Sequence, residues 1–137
     1  RREGFLAAMH RHGLEVPPAA LAQGNYRFDS GHRAANELLS AEPRVTAIFA
    51  SNDEMAAGAY HAARERGVEV PRQLSIVGFD DSPIAAHIWP PMTTVGWPIR
   101  EMAKAAALKL VAPDSSEALP SSFPARLVTR NSVAEPG

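Results

Sequence analysis

Three short polar clusters hold the residue types from which chemistry could be built: Asn25-Tyr26, Ser51-Asn52-Asp53 and Asp80-Asp81-Ser82. Each follows an apolar stretch of strand length, which puts each at a strand end. Together they supply an amide, several carboxylates and an aromatic ring. Such a set suits a small polar ligand, through bidentate hydrogen bonds to its hydroxyl or amide groups and a flat face to stack on. Local roles compete at every position. Ser51 and Glu54 fit a capping box. Asp80 and Asp81 fit a turn ahead of Ser82-Pro83. Tyr26 and Trp97 fit packing at the edge of a core.

Enzyme chemistry finds little support. The sequence holds no GxSxG elbow, Walker loop or GxGxxG turn, so no catalytic residue is assigned. Cysteine is absent, which excludes disulfides and thiolate catalysis and agrees with a reducing compartment. The histidines are His10, His12, His32, His61 and His87. Only His10 and His12 are close in sequence, and side chains two apart on a helix do not face each other. All five read as surface residues, with no metal constellation and no cofactor. A phosphate-accepting aspartate would need a lysine at a strand end, but the only lysines, Lys104 and Lys109, share one late helix.

The elements that must position these clusters alternate between helix and strand patterns. Helices are expected over 2–12, 30–40 (capped by Asp29-Ser30 and ended by Glu42-Pro43), 54–66, 83–88 and 99–111. The 99–111 helix carries Met102, Ala106 and Leu110 on one stripe. Leu21–Gly24 reads as a short strand. The runs 45–50 and 74–79 are continuous and apolar, as in strands buried on both faces of a parallel sheet. Short strands are expected at 92–95 and 127–129, a loop over 113–125, and a tail at the end. This order implies right-handed βαβ units, hence an α/β fold with a mostly parallel sheet and helices on both faces. In such sheets ligands bind beyond the carboxyl ends of the strands, which would bring the three clusters to one edge.

Size and charge narrow the partners. The chain has 137 residues, 45% of them hydrophobic and 21% charged, with a net charge of −1. One globular domain fits that length. The charge balance gives no footprint for nucleic acid or an anionic membrane. No apolar run approaches the length of a membrane span. The opening residues do not form a signal peptide, and they lack an initiator Met, so the chain reads as a piece of a longer protein.

Several segments resemble the LacI/GalR family of transcription regulators. They are Ala47–Ala56 with Gly58, Val70–Asp81, Pro90–Val95, and Pro98 with Glu101-Met102. Arg1 to Phe5, Gly24-Asn25-Tyr26 and Ser30-Gly31 fall in register with them. The resemblance implies a periplasmic binding protein-like type I fold. Residues 1–95 would be the C-terminal lobe of an effector-binding domain, 96–125 a crossover segment belonging to a missing N-terminal lobe, and 126–137 the returning strand and tail. DNA binding would lie in an N-terminal helix-turn-helix domain absent from this chain.

The implied effector contacts are Arg1, Tyr26, Asn52, Asp80 and Trp97, with Asp53 supporting the turn. Trp97 departs from the polar residue frequent in these regulators and would form a larger apolar wall. A homodimer surface would use Ala57, Ile84, Ile88 and Trp89. The implied function is effector sensing, with a sugar or similar polar ligand controlling DNA binding from a cytoplasmic protein without membrane contact. A periplasmic sugar-binding component of a transporter shares the fold and is the alternative.

Overall fold

A computed structural model describes residues 1–41, 45–112, 120 and 122–135. In chain order the elements are α1 (Arg2–Arg11), α2 (Phe28–Ser40), β1 (Ala47–Phe49), α3 (Asp53–Glu65), β2 (Ser75–Asp80), α4 (Pro83–His87), β3 (Thr93–Gly96), α5 (Ile99–Val111) and β4 (Arg126–Val128). The sheet order is β1-β2-β3-β4. The first three strands are parallel and β4 joins β3 antiparallel. The mostly parallel α/β sheet therefore agrees with the sequence reading.

Alternation along the strands assigns the faces. Ile48 and Ile76 pair across β1 and β2 and are buried beneath the α2–α3 layer, with Ala56, Ala59, Ala62 and Ala63 of α3. On the opposite face, Phe5 of α1 stacks on Phe49 with centroids 5.6 Å apart and planes 8° from parallel. Glycine closes two of the helices. Gly13 and Gly67 follow α1 and α3 with φ of +69° and +66°, a conformation that glycine adopts without steric cost.

Several local expectations give way. Leu21–Gly24 forms no ladder among the described residues. The segment holds no β-branched or aromatic residue to favour a strand. β1 is therefore the sheet's edge, and its two faces are covered unequally: Ile48 is buried, while on the other face Ala47 is exposed and Phe49 is half-buried under Phe5. α2 begins at Phe28, two residues before the expected start, and Arg27 rather than Asp29-Ser30 holds the cap position. Ser30 is instead buried, accepting from the Asn25 N–H at 3.0 Å and donating to the Arg27 carbonyl at 2.8 Å. The Glu42-Pro43 stop and most of the 113–125 loop lie outside the described residues.

α5 spans the expected residues, but no residue of it is buried. Its half-covered stripe is Met102, Ala105 and Leu108, and Ala106 and Leu110 are exposed. The final residues are more than a tail. Ser132 is fully buried, accepts from the Thr93 N–H at 2.8 Å and donates to the Ile76 carbonyl at 2.5 Å. Its own carbonyl accepts from the Ile76 N–H at 2.9 Å. Ser132 thus stitches β2 to β3. Ser132→Ala strands the Thr93 N–H and is expected to lower stability by about 2 kcal/mol. Urea unfolding checks this, and a loss near zero would count against the stitch.

Candidate functional site

The carboxyl ends of the three parallel strands converge as their topology requires. Arg1, the residue before α1, lies across them. One guanidinium nitrogen donates to the Ser51 carbonyl beyond β1. The other donates to Asp80 Oδ1 at the end of β2, at 2.8 Å. The guanidinium lies 3.9 Å from the centroid of the Phe79 ring and 5.4 Å from that of Trp97. Phe79 and Trp97 meet edge to face at 5.9 Å. A cation is thus seated on an aromatic corner and paired with a carboxylate, leaving the remaining guanidinium N–H groups and the second Asp80 oxygen for a ligand.

Asp80 is about one third exposed at its side chain. Burial pushes its carboxyl above the ordinary aspartate range. Arg1 opposes that push without cancelling it, and Asp53 adds to it. The backbone is unusual here as well. Tyr26, Asp80 and Asp81 have φ of +69°, +117° and +53°. Such values are costly for residues with a Cβ, and they concentrate at binding sites, where surrounding contacts hold them.

Asn52, not Ser51, caps α3. Its Oδ1 accepts from the Met55 N–H at 3.0 Å. Its Nδ2 donates to the Tyr26 carbonyl at 2.9 Å. The capping box expected from Ser51 and Glu54 is not formed, and Glu54 is exposed. Asn52 keeps one N–H and one lone pair free of these bonds. Its observed work is to hold the Tyr26 turn, and the Tyr26 side chain stands out from it, 66% exposed. Asn25 belongs to that turn, its Oδ1 accepting from the Arg27 N–H at 3.2 Å.

The carboxylates divide by role. Asp53 is buried and accepts from the Ser82 N–H (2.7 Å), the Ser82 hydroxyl (3.0 Å) and the Thr94 hydroxyl (2.5 Å). It braces the turn, as expected. Asp81 turns away to Arg130, at 2.6 Å. Arg130 also donates to the Met92 carbonyl at 2.9 Å. No local pattern in the sequence pointed to Arg130, because its partner is 49 residues distant.

Of the residues assigned to a dimer surface, Ala57 is covered by its own chain at 2% exposure and offers no surface. Ile84 and Ile88 are half-buried, and Trp89 is 85% exposed.

A cavity of about 740 Å³ separates α1 and the 16–24 segment from β1 and α2. It is walled by apolar residues such as Met9, Leu21, Leu38 and Ile48 and reaches the polar cluster only at Arg1, Tyr26 and Ser51. Asp80 and Trp97 lie outside it, so the polar strand-end cluster is the better ligand site. One further cluster escaped the sequence reading, which found no metal constellation. His32, His61 and Glu65 bring their ligand atoms within 4.8 Å of one another. The spacing of His61 and Glu65, four apart on α3, was a legible half of that signal.

Comparisons with known proteins agree with this fold. The family model of the periplasmic binding protein-like domain matches residues 1–133. The HTH-type transcriptional regulator GalS of Salmonella typhimurium is 41% identical over 137 residues, which cover 98% of this chain and 40% of that protein. A sugar-binding transcriptional regulator of the LacI family from Escherichia coli, solved with phosphate, superposes with a TM-score of 0.91 at 34% identity, covering 99% of this chain and 50% of that one. A LacI-family transcriptional regulator from Enterococcus faecium with bound ribose gives a TM-score of 0.85 at 29% identity, covering 99% and 51%. The chain therefore spans two fifths to one half of the length of these proteins. It belongs to the periplasmic binding protein-like domain family, and its similarity there is to the regulators of the LacI family.

Proposed function

We propose that this chain is the effector-sensing part of a LacI-type transcriptional regulator. It binds a small polar ligand, a sugar above all, in a cleft between this lobe and a second one. The observation that carries the reading is the Arg1–Asp80 pair on the Phe79–Trp97 corner, with Tyr26 exposed beside it. A sugar offers hydroxyls to the charged pair and an apolar ring face to the aromatics. Ribose bound to a structural relative supports the ligand class. The relatives named above are regulators, which favours this reading over the transporter component.

The mechanism is a coupling of equilibria. A ligand that binds one relative orientation of the lobes better than the other shifts their population, and the shift biases DNA binding by an N-terminal helix-turn-helix domain. No bond is made or broken, so we read the protein as a non-enzyme working in the cytoplasm. The unburied α5 supports assigning 96–125 to the second lobe, with 1–95 and 126–137 forming this one. Ile84, Ile88 and Trp89 suit a homodimer surface through their partly or largely exposed apolar side chains.

The test is Asp80→Ala in the full-length protein, titrated calorimetrically with pentoses, hexoses, disaccharides and nucleosides. Affinity for the sugar that binds is expected to fall by roughly 1–3 kcal/mol. Unchanged affinity would remove Asp80 from the site. Asp80→Asn separates binding from folding. A carboxyl whose pKa is raised on folding binds extra protons in the folded state, so ionised Asp80 costs stability above its folded pKa. Asp80→Asn is therefore expected to bind sugar weakly without lowering Tm.

A further inference from the structure

We propose that His32, His61 and Glu65 form a binding site for a divalent transition-metal ion of the zinc class, clamping α2 to α3. Glu65 lies between the two imidazoles. Its Oε2 is 2.6 Å from His32 Nε2, and its Oε1 is 3.2 Å from His61 Nε2. The imidazole centroids are 5.1 Å apart, and all the ligand atoms fall within 4.8 Å of one another. Ligands at about 2.0–2.1 Å from a tetrahedral zinc stand roughly 3.3 Å from each other. The two Glu65 separations, 2.6 and 3.2 Å, lie at or below that value, and small side-chain rotations open them to it.

Two imidazoles and one carboxylate are ligands suited to zinc, with water completing the tetrahedron. The supports are fixed. His61 and Glu65 are one turn apart on α3, and their side chains share a face. His32 comes from α2 at the point of closest helix approach, where its backbone nitrogen would lie only 2.5 Å from a Cβ added at Gly58. The Asn36 amide, oriented by a 2.6 Å bond from Arg66 Nε, stands 3.2 Å from His32 Nε2 and donates to the His32 carbonyl at 3.1 Å. An N–H on His32 Nε2 would satisfy Glu65 but oppose this amide N–H. A cation shared by Nε2 and Oε2 draws on both lone pairs and leaves Asn36 to the carbonyl. Phe28, tilted against His61 with centroids at 5.7 Å, walls one side.

The full chain, first stripped of metal with a chelator, is titrated with Co²⁺ and then with Zn²⁺. One equivalent of Co²⁺ is expected to give the strong visible bands of a tetrahedral site, which Zn²⁺ then abolishes. Each of His61→Ala and Glu65→Gln, at half-exposed positions where folding is retained by circular dichroism, is expected to weaken Zn²⁺ binding by more than about tenfold. A His10→Ala/His12→Ala double variant is expected to bind as the unaltered protein does. Absence of both the Co²⁺ bands and calorimetric heat would overturn the proposal. So would Zn²⁺ affinity unchanged by His61→Ala, or lost in the double variant instead.

Discussion

Asp53→Ala is expected to lower folding stability by about 4 kcal/mol, a large share of what a domain of this size holds. The carboxylate is 1% exposed and receives three hydrogen bonds, from the Ser82 N–H, the Ser82 hydroxyl and the Thr94 hydroxyl. Truncation leaves all three donors without a partner where little water reaches. It also removes a negative charge from the first residue of α3, where the helix dipole favours one. Nothing nearby is built to fill the space. Gly78 lies beneath, and a Cβ there would strike both Asp53 Oδ1 and the Met92 sulfur. Asp53→Asn keeps the shape and one acceptor, so about half the loss is expected. Urea unfolding with an unchanged m-value is the measurement. A loss under about 1 kcal/mol for Asp53→Ala would show that the brace carries little. If the strand-end cluster binds sugar as proposed, affinity should fall as well, because Ser82 lies two residues beyond Asp80, and Asp53 would then act as a positioning residue.

The range of each interaction decided whether the sequence alone revealed it. α3 was legible because its signals are local, an apolar period and a stop at Gly67; the extent of α5 was legible too, but not the stripe it covers. The sheet was legible because buried runs alternated with helices. The clusters after β1 and β2 were legible because parallel topology must bring those strand ends together, whereas Asn25-Tyr26 follows no strand and is held to them by Asn52. Local competition blurred the next level. Ser51, Asn52 and Asp53 can each cap a helix, and only the contact of Asn52 with Tyr26, 26 residues away, selects the cap. Long-range pairs were invisible. Ser132 sits 56 residues from Ile76, and Arg130 49 from Asp81, with no pattern to join them. The His32–His61–Glu65 cluster fell between these cases. Its α3 half has helical spacing, while its α2 half depends on how two helices meet.

That meeting is tested by Gly58→Ala. Helix propensity alone argues for stabilisation, since alanine in a helix interior is favoured over glycine by about 1 kcal/mol. The contact argues the other way and is larger. A Cβ at Gly58 would strike the Phe28 carbonyl oxygen and the His32 backbone nitrogen, and one at Gly31 would strike the Met55 backbone. Backbone cannot rotate aside as a side chain does, so the helices must separate and lose buried area between them. Overpacking of this kind costs about 3 kcal/mol or more. The net expectation is a loss of roughly 2–3 kcal/mol, read from urea unfolding. A neutral or stabilising result would mean that α2 shifts freely. Gly31→Ala should act in the same direction, and the double variant should lose less than the sum, because either methyl group alone parts the same helices. The same displacement carries His32 away from His61 and Glu65. Gly58→Ala should therefore weaken Zn²⁺ binding although no ligand is changed, which a merely superficial pair of histidines would not do.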